Sequence, residues 1–309
     1  MNLQQLEYII AVDQHRHFAT AADRSFVTQP TLSMMVKKLE DELGVLIFDR
    51  SRHPVEPTRE GIEILKRARA IVGQVNSLKE YVNETKHEIR GELRVGIIPT
   101  LAPYLLPLFL EGFHRKYSQL KLQVREMVTD ELLAKLECSE LDVAIMATPA
   151  GRSHFREHHL FYEEFVAYAS RTEKLPKKKY ILPREIDIQH LWLLQEGHCL
   201  RNQVYNLCEL KKRETSLSYE AGSIETLINL VDKAGGITII PKLAEYHMRP
   251  QQREHIREFA TPKPVREISL VVTTYFPREK LLSCLKEEIM AAIPHGMKEP
   301  EQVQVAPIR

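Results

Sequence analysis

Cysteine is scarce in this chain: four in 309 residues, at positions 138, 199, 208 and 284. That is too few to staple a small secreted scaffold. Long apolar runs are missing too. No run of about 18 apolar residues occurs, so no membrane-spanning helix is expected. The opening Met-Asn-Leu-Gln-Gln-Leu-Glu lacks the basic start and apolar core of a secretory signal. These absences predict a cytoplasmic protein with no membrane partner. A strong charge of one sign is also wanting. Lysine and arginine number 43 against 42 acids, for a net charge of +1, so any nucleic-acid argument rests on where the charges sit. No nucleophile elbow, phosphate-cradling glycine loop or metal-ligand cluster is present, and neither an enzyme nor a cofactor or metal is expected. What is there, 43% apolar and 28% charged residues, suits two or three globular domains with ordinary cores.

Charge is uneven near the amino terminus. From Arg24 to Leu39 there is no acidic residue, Lys37 and Lys38 fall within that stretch, and Arg50, Arg52 and Arg59 follow. Apolar residues recur at helical spacing in three short segments, marked by Leu6, Ile9 and Ile10, by Ala19, Ala21 and Ala22, and by Leu32, Met35, Val36 and Leu39. Val27 and Thr28 fill the turn before the third. Pro30 is tolerated in its first turn, where an N–H would be unpaired anyway, and Gly44 punctuates its end. The pattern predicts a helix-turn-helix whose third helix offers Gln29, Pro30, Thr31, Ser33 and Lys37 to a major groove. Residues 45–61 predict a small hairpin, a wing, that adds Arg50 and Arg52 as contacts to double-stranded promoter DNA.

Phe18-x-x-Ala-Ala22, Thr28-Gln-Pro-Thr-Leu-Ser33, Lys38-Leu-Glu-Asp-Glu-Leu-Gly44, Leu46-x-Phe48-x-Arg50 and Pro57-Thr-x-x-Gly61 stand in one ordered register. Together they resemble the winged helix-turn-helix of the LysR-type transcriptional regulators. Thr58 is placed to cap a helix from Arg59, along which Ile62, Leu65, Ala68, Val72, Val75, Leu78 and Val82 form an apolar stripe. A helix of about 30 residues, roughly 45 Å long, exposes more apolar surface than the small amino-terminal unit can cover, so self-association is expected. The resemblance implies homodimers through this helix, pairing into homotetramers on a pseudo-palindromic site, and contact with RNA polymerase.

Beyond Gly91 the pattern changes. Strands at 93–98, 120–125 and 141–146 alternate with helices at 103–117 and 130–138, as in a parallel sheet with flanking helices. A second unit follows, with strands at 161–170, 191–195 and 237–240 and helices at 199–210 and 223–233. A strand at 268–274 is expected to return to the first unit. The predicted fold class is α/β: residues 1–58 a winged helix-turn-helix, 59–90 a linker helix, and 91–300 a two-lobed regulatory domain. The resemblance implies that this domain is built like a periplasmic binding protein, with lobe I at about 91–161 and 268–300 and lobe II at about 162–267. The segment from Pro294, including a tail at 301–309, is expected to be loosely ordered.

Ligands of open parallel sheets gather at the carboxyl ends of strands, where Thr100, Thr129, His198, Cys199 and Ser223 are predicted to fall. Gly197 permits a tight turn that sets Cys199 at a helix amino terminus, which favours the reactive thiolate. His198 and Arg201 are expected to add positive charge. Cys138 and Cys284 each read as small buried apolar residues.

Four segments narrow the resemblance. Ile98-Pro-Thr-Leu-Ala-Pro-Tyr-Leu-Leu-Pro107, Gly197-His-Cys-Leu-Arg-Asn-Gln203 with Cys208, Ser223-Ile-Glu-Thr-Leu227 and Gly235-Gly-Ile-Thr-Ile-Ile-Pro241 are similar to the peroxide-sensing branch of the family. It implies that hydrogen peroxide oxidises Cys199, that Cys208 resolves the product as a disulfide, and that thiol-disulfide reductants reset the pair. It also places Thr100, Thr129, His198 and Arg266 around the sensing sulfur. Asn202 departs from the aspartate expected there, and Lys211-Lys-Arg213 is more basic than expected. On a helix, nine residues put the two cysteine Cα atoms roughly 13 Å apart, whereas a disulfide needs about 7 Å or less; the bond therefore requires the helix to break. A regulator that reads a small metabolite between the lobes is the alternative, with the thiol pair incidental.

Overall fold

The computed structural model describes residues 1–84, 89–173, 180–208, 220–274, 276–297 and 303–308. It divides into two compact units, one formed mainly by Met1–Glu88 and the other by most of the chain from Ile89 onward.

The first unit opens with α1 (Leu3–His15), α2 (Phe18–Arg24) and α3 (Gln29–Leu43). Asn2 and Gln5 start α1 as a reciprocal capping box, each side chain accepting the other's backbone N–H at 2.9 Å. Thr28 precedes α3, Pro30 lies in its first turn, and Gly44 ends it with φ 71°, a left-handed position that suits glycine. Strands β1 (Phe48–Asp49) and β2 (Glu56–Pro57) pair as the wing. The helix α4 (Arg59–Glu84) follows. Thr58 Oγ1 accepts the Gly61 N–H at 2.9 Å and donates to the Leu46 carbonyl at 2.7 Å. Gly61 has to be small, because a Cβ there would sit 2.0 Å from the Ile47 carbonyl oxygen. Leu6, Ile9, Val12, Ala21, Ala22, Leu32, Val36, Leu39, Ile47, Phe48, Leu65 and Ala68 close one core over these elements. The alanines at 21 and 22 let α2 sit close to its neighbours. On other faces of α4, Ile62, Ile71 and Leu78 remain exposed. The predicted end of the linker helix, residues 85–88, lies outside the described residues.

In the second unit the chain runs β3 (Gly91–Ile97), α5 (Ala102–Lys116), β4 (Leu120–Glu126), α6 (Thr129–Glu137), β5 (Val143–Thr148) and β6 (Phe155–Ala169). It continues through β7 (Tyr180–Ile181), β8 (Leu193–Leu194), α7 (Cys199–Leu207), β9 (Glu220–Ala221), α8 (Ile224–Ala234), β10 (Ile237–Pro241) and α9 (Pro250–Arg253). The remainder is β11 (Ile256–Phe259), β12 (Lys263–Thr273), α10 (Glu279–Ala292) and β13 (Val303–Val305). β3 lies parallel to β4 and β5, as strand-helix alternation predicts. β6 is longer than the sequence pattern suggests. Its first part pairs antiparallel with β12, from Phe155↔Thr273 to Glu164↔Val265. Its last part pairs antiparallel with β10, with Phe165 opposite Pro241, and with β11. β6 therefore belongs to both lobes, and β12 starts five residues earlier than the expected return strand at 268. The pair crosses between the lobes where Glu163 stands opposite Arg266.

The tail corrects the expectation of loose order. Val303–Val305 pairs in parallel with Lys263–Val265, the Ala306 N–H donates to the Val265 carbonyl at 2.8 Å, and Ala306 is buried. Residues 298–302 and 309 lie outside the described residues, as do 209 and 210 at the end of the helix predicted over 199–210, and Lys211-Lys-Arg213.

Candidate functional site

Turn chemistry places Cys199. Gly197 takes φ 94°, a region that side-chain-bearing residues avoid, and His198 then occupies the N-cap of α7. Cys199 is the first helical residue and Cys208 the C-cap, so one thiol stands at each end of a single helix. All four cysteines are free thiols. Along a continuous α-helix the two Cα atoms are roughly 13 Å apart, beyond disulfide reach.

Cys199 opens onto a cavity of about 180 Å³ lined by Thr129, Asp130, Ala147, Pro149, Ala150, Gly197, His198, Cys199, Asn202 and Ile308. At about 30 Å³ per water molecule, the space holds a small polar molecule with room to spare. Thr129 Oγ1, buried there, makes no hydrogen bond of its own. It lies close enough to the sulfur to favour its anion. A solute with two hydroxyls suits such an orphaned group.

The electrostatics correct the expected thiolate. Burial pushes the Cys199 thiol above its ordinary value; Arg266, the Thr129 hydroxyl and the N–H groups of Leu200 and Cys199 pull the other way without prevailing. The amino-terminal N–H groups act as predicted, but desolvation is larger. Burial lowers the His198 pKa from its ordinary value near neutrality, which works against the positive charge expected of it. Arg201 is turned to other partners: it donates to the Leu194 carbonyl and pairs with Glu220, both at 2.7 Å, fastening α7 to β8 and β9. At the other end of the helix, burial pushes the Cys208 thiol up to about 12. At both ends of the helix, burial favours the thiol over the thiolate.

Of the four predicted pocket residues, Thr129 and His198 line the cavity. Thr100 and Arg266 are not among its walls. They are buried and bonded to each other, Arg266 donating to Thr100 Oγ1 at 2.9 Å and to its carbonyl at 3.1 Å. The Arg266 guanidinium is fully buried and pairs with equally buried Glu163 at 2.7 Å. Glu163 also accepts the Leu243 N–H at 3.0 Å. Sequence reasoning missed Glu163, which looks like one more charge on a polar strand. It also missed Ile308 and the fully buried Gln203 of α7, which donates to the Ala306 carbonyl at 3.3 Å.

In the first unit, Gln29, Pro30, Thr31 and Lys37 are exposed on the third helix. Ser33 is half-buried and its Oγ accepts from Arg50 at 3.2 Å. Arg50 also pairs with Glu40 at 2.8 Å and stacks over Phe18, while Arg52 pairs with Glu56 at 2.7 Å and Asp49 at 3.4 Å. The two arginines already hold the wing together.

A winged helix-turn-helix head joined through a long helix to a two-lobed α/β module with a thiol-lined cavity defines a transcription regulator that carries its own sensor. The family is equally plain. Residues 3–62 match the bacterial regulatory helix-turn-helix protein, lysR family, and residues 86–293 match the LysR substrate binding domain; the chain belongs to the LysR family of transcription regulators. It is 35% identical over 271 residues to a hydrogen peroxide-inducible genes activator of Dickeya chrysanthemi, covering 88% of this chain and 89% of that one. It is 34% identical to the DNA-binding transcriptional dual regulator OxyR of Escherichia coli, covering 94% of this chain and 95% of that one. A solved full-length OxyR of Pseudomonas aeruginosa superimposes with a TM-score of 0.82 at 34% identity, covering 98% and 99% of the two chains.

Proposed function

We propose that this protein is a peroxide-responsive, OxyR-like activator whose signal is a reversible Cys199–Cys208 disulfide. The observation that carries this reading is the placement of two buried thiols at opposite ends of one helix, the first facing a small cavity with an unsatisfied hydroxyl. Hydrogen peroxide enters beside Thr129 and His198. The Cys199 sulfur attacks one peroxide oxygen, an S–O bond forms as the O–O bond breaks, and the thiol proton ends on the departing hydroxide as water. Sulfur is oxidised by two electrons and peroxide is reduced by two. Cys208 then attacks the sulfenic sulfur, expelling a second water. That step requires α7 to unwind, which also frees the Cys208 thiol from the burial that keeps it protonated and unreactive. Each cycle consumes one peroxide and leaves the protein altered, so the chemistry is a signal, and thiol-disulfide reductants restore the helix.

At the other end of the chain, Gln29, Pro30, Thr31, Ser33 and Lys37 face a major groove of cytoplasmic promoter DNA while Arg50 and Arg52 of the wing approach the backbone. The exposed Ile71 and Leu78, seven residues apart on one face of α4, support dimerisation through that helix. Pairs of dimers would then present RNA polymerase with a spacing that depends on the redox state. The test is a thiol titration and a DNA footprint before and after one equivalent of peroxide. Two thiols should disappear and the footprint should change. If Cys199→Ser responds like the unaltered protein, the reading is wrong and a metabolite-responsive regulator takes its place.

A further inference from the structure

We propose that the carboxyl-terminal segment Val303–Ile308 belongs to the sensing machinery: it walls the peroxide cavity and latches α7 in its helical, reduced form. The inference rests on the peroxide reading above and extends it to residues outside the cysteine segment.

The tail is anchored on one side and committed on the other. Val303, Gln304 and Val305 run parallel to Lys263, Pro264 and Val265, immediately before buried Arg266. The chain then leaves the sheet and crosses α7. Gln203 donates to the Ala306 carbonyl at 3.3 Å, Asn206 donates to the Pro307 carbonyl at 2.9 Å, and Ile308 reaches the cavity that holds Cys199. Gln203 and Asn206 are three residues apart, on one face of the helix, so both bonds can form only while α7 is helical.

Two consequences follow. Closing the disulfide requires residues 199–208 to unwind, which pulls Gln203 and Asn206 away from the tail, so the latch raises the barrier to closure and favours the reduced state. Ile308 also narrows the cavity with an apolar side chain, which admits hydrogen peroxide and hinders bulkier organic hydroperoxides. Ile308 is thus a specificity-determining residue, and Gln203 and Asn206 are positioning residues.

The experiment compares the full chain with a chain ending at residue 302 and with the variants Ile308→Gly and Asn206→Ala. Quenched thiol trapping reads the rate of disulfide closure after sulfenic acid has formed, and the ratio of oxidation rates with hydrogen peroxide and cumene hydroperoxide reads selectivity. Carboxypeptidase digestion of the full chain in both redox states reads release of the tail. Truncation should accelerate closure at least tenfold and raise relative reactivity toward cumene hydroperoxide at least tenfold. Ile308→Gly should move selectivity and leave closure within twofold; Asn206→Ala should speed closure several-fold and leave selectivity unchanged. The tail should resist carboxypeptidase in the reduced protein and yield in the oxidised one. A purely structural tail would lower the melting temperature without moving either the closure rate or the selectivity. If the disulfide forms but the tail is equally protected in both states, or the point variants match the full chain, the latch is wrong and the peroxide reading stands. If peroxide never joins Cys199 to Cys208 in the full chain, both fall together.

Discussion

Arg266 and Glu163 face each other across the strand pair that links the two lobes, form an ion pair at 2.7 Å, and are both fully buried. Arg266 also donates to the Thr100 hydroxyl and carbonyl. Its charge reaches Cys199 through space, and the Glu163 carboxylate beside it is of opposite sign.

Removing one member of that pair should hurt more than removing both. Glu163→Ala leaves a buried guanidinium uncompensated and the Leu243 N–H without its acceptor, a loss of about 3–5 kcal/mol. Glu163→Gln keeps an acceptor but lets more of the Arg266 charge act on the sulfur, so Cys199 should titrate lower than in the unaltered protein. Denaturant melts and a thiol titration of the Cys208→Ser background check both. A Cys199 titration that does not move in Glu163→Gln would mean that Arg266 does not influence the sulfur.

The pH dependence of sensing follows from the raised Cys199 thiol. The attacking species is the thiolate, and below the pKa its fraction grows tenfold per pH unit. The rate of sulfenic acid formation, measured in Cys208→Ser so that only the first step is seen, should therefore climb with a slope near one log unit per pH unit between about pH 6.5 and 8.5. Stability runs the opposite way. Both cysteines have folded pKa values above their unfolded ones, so above about pH 8.5 the unfolded chain sheds protons that the folded chain retains, and the reduced protein loses stability as pH rises. A flat rate profile across neutrality would show that Cys199 rests as a thiolate.

Much of the head was legible because its signals are local. Alanines at 21 and 22, Pro30 after Thr28, Gly44, and Thr58 three residues before Gly61 each dictate a turn, a cap or a close approach within a few residues. Cys199, Gly197 and His198 were legible for the same reason. What could not be read depends on pairing between distant segments. The first part of β6, Arg156-Glu-His-His159, looks like a polar loop and becomes a strand only because β12 supplies its partner. Glu163 becomes significant only opposite Arg266. The direction of the Cys199 shift is not legible in sequence because burial, a property of the whole fold, opposes the helix terminus. The tail reads as loosely ordered because Pro, Glu and Gln surround the short Val-Gln-Val strand that β12 captures.

The helix α3 carries a second buried acid with a structural task. Glu40 is 3% exposed, accepts the backbone N–H groups of Ile47 and Phe48 at 2.9 and 3.2 Å, and pairs with Arg50. Glu40→Ala strands two buried donors and should cost about 2–4 kcal/mol. Lys37→Ala should leave the melting temperature unchanged and lower the salt dependence of DNA binding by about one unit of slope. Arg50→Ala should do some of each. Operator binding at several salt concentrations, beside thermal melts, separates them; a Lys37→Ala slope equal to that of the unaltered protein removes Lys37 from the interface.

The exposed stripe on α4 makes the last prediction. Ile71 is 42% and Leu78 is 66% exposed, on a helix whose opening residues Leu65 and Ala68 are already buried in the head. If a second copy covers the stripe, a charge placed there must be desolvated without a partner. Ile71→Glu and Leu78→Glu should each weaken self-association at least tenfold, and the double variant should sediment as a monomer at micromolar concentration. Affinity for a two-half-site operator should fall with it, because a monomer engages only one half-site. Peroxide should still oxidise Cys199 in that monomer, since the cavity is built within the second unit. A double variant that sediments with the mass of the unaltered protein would move the subunit contact elsewhere.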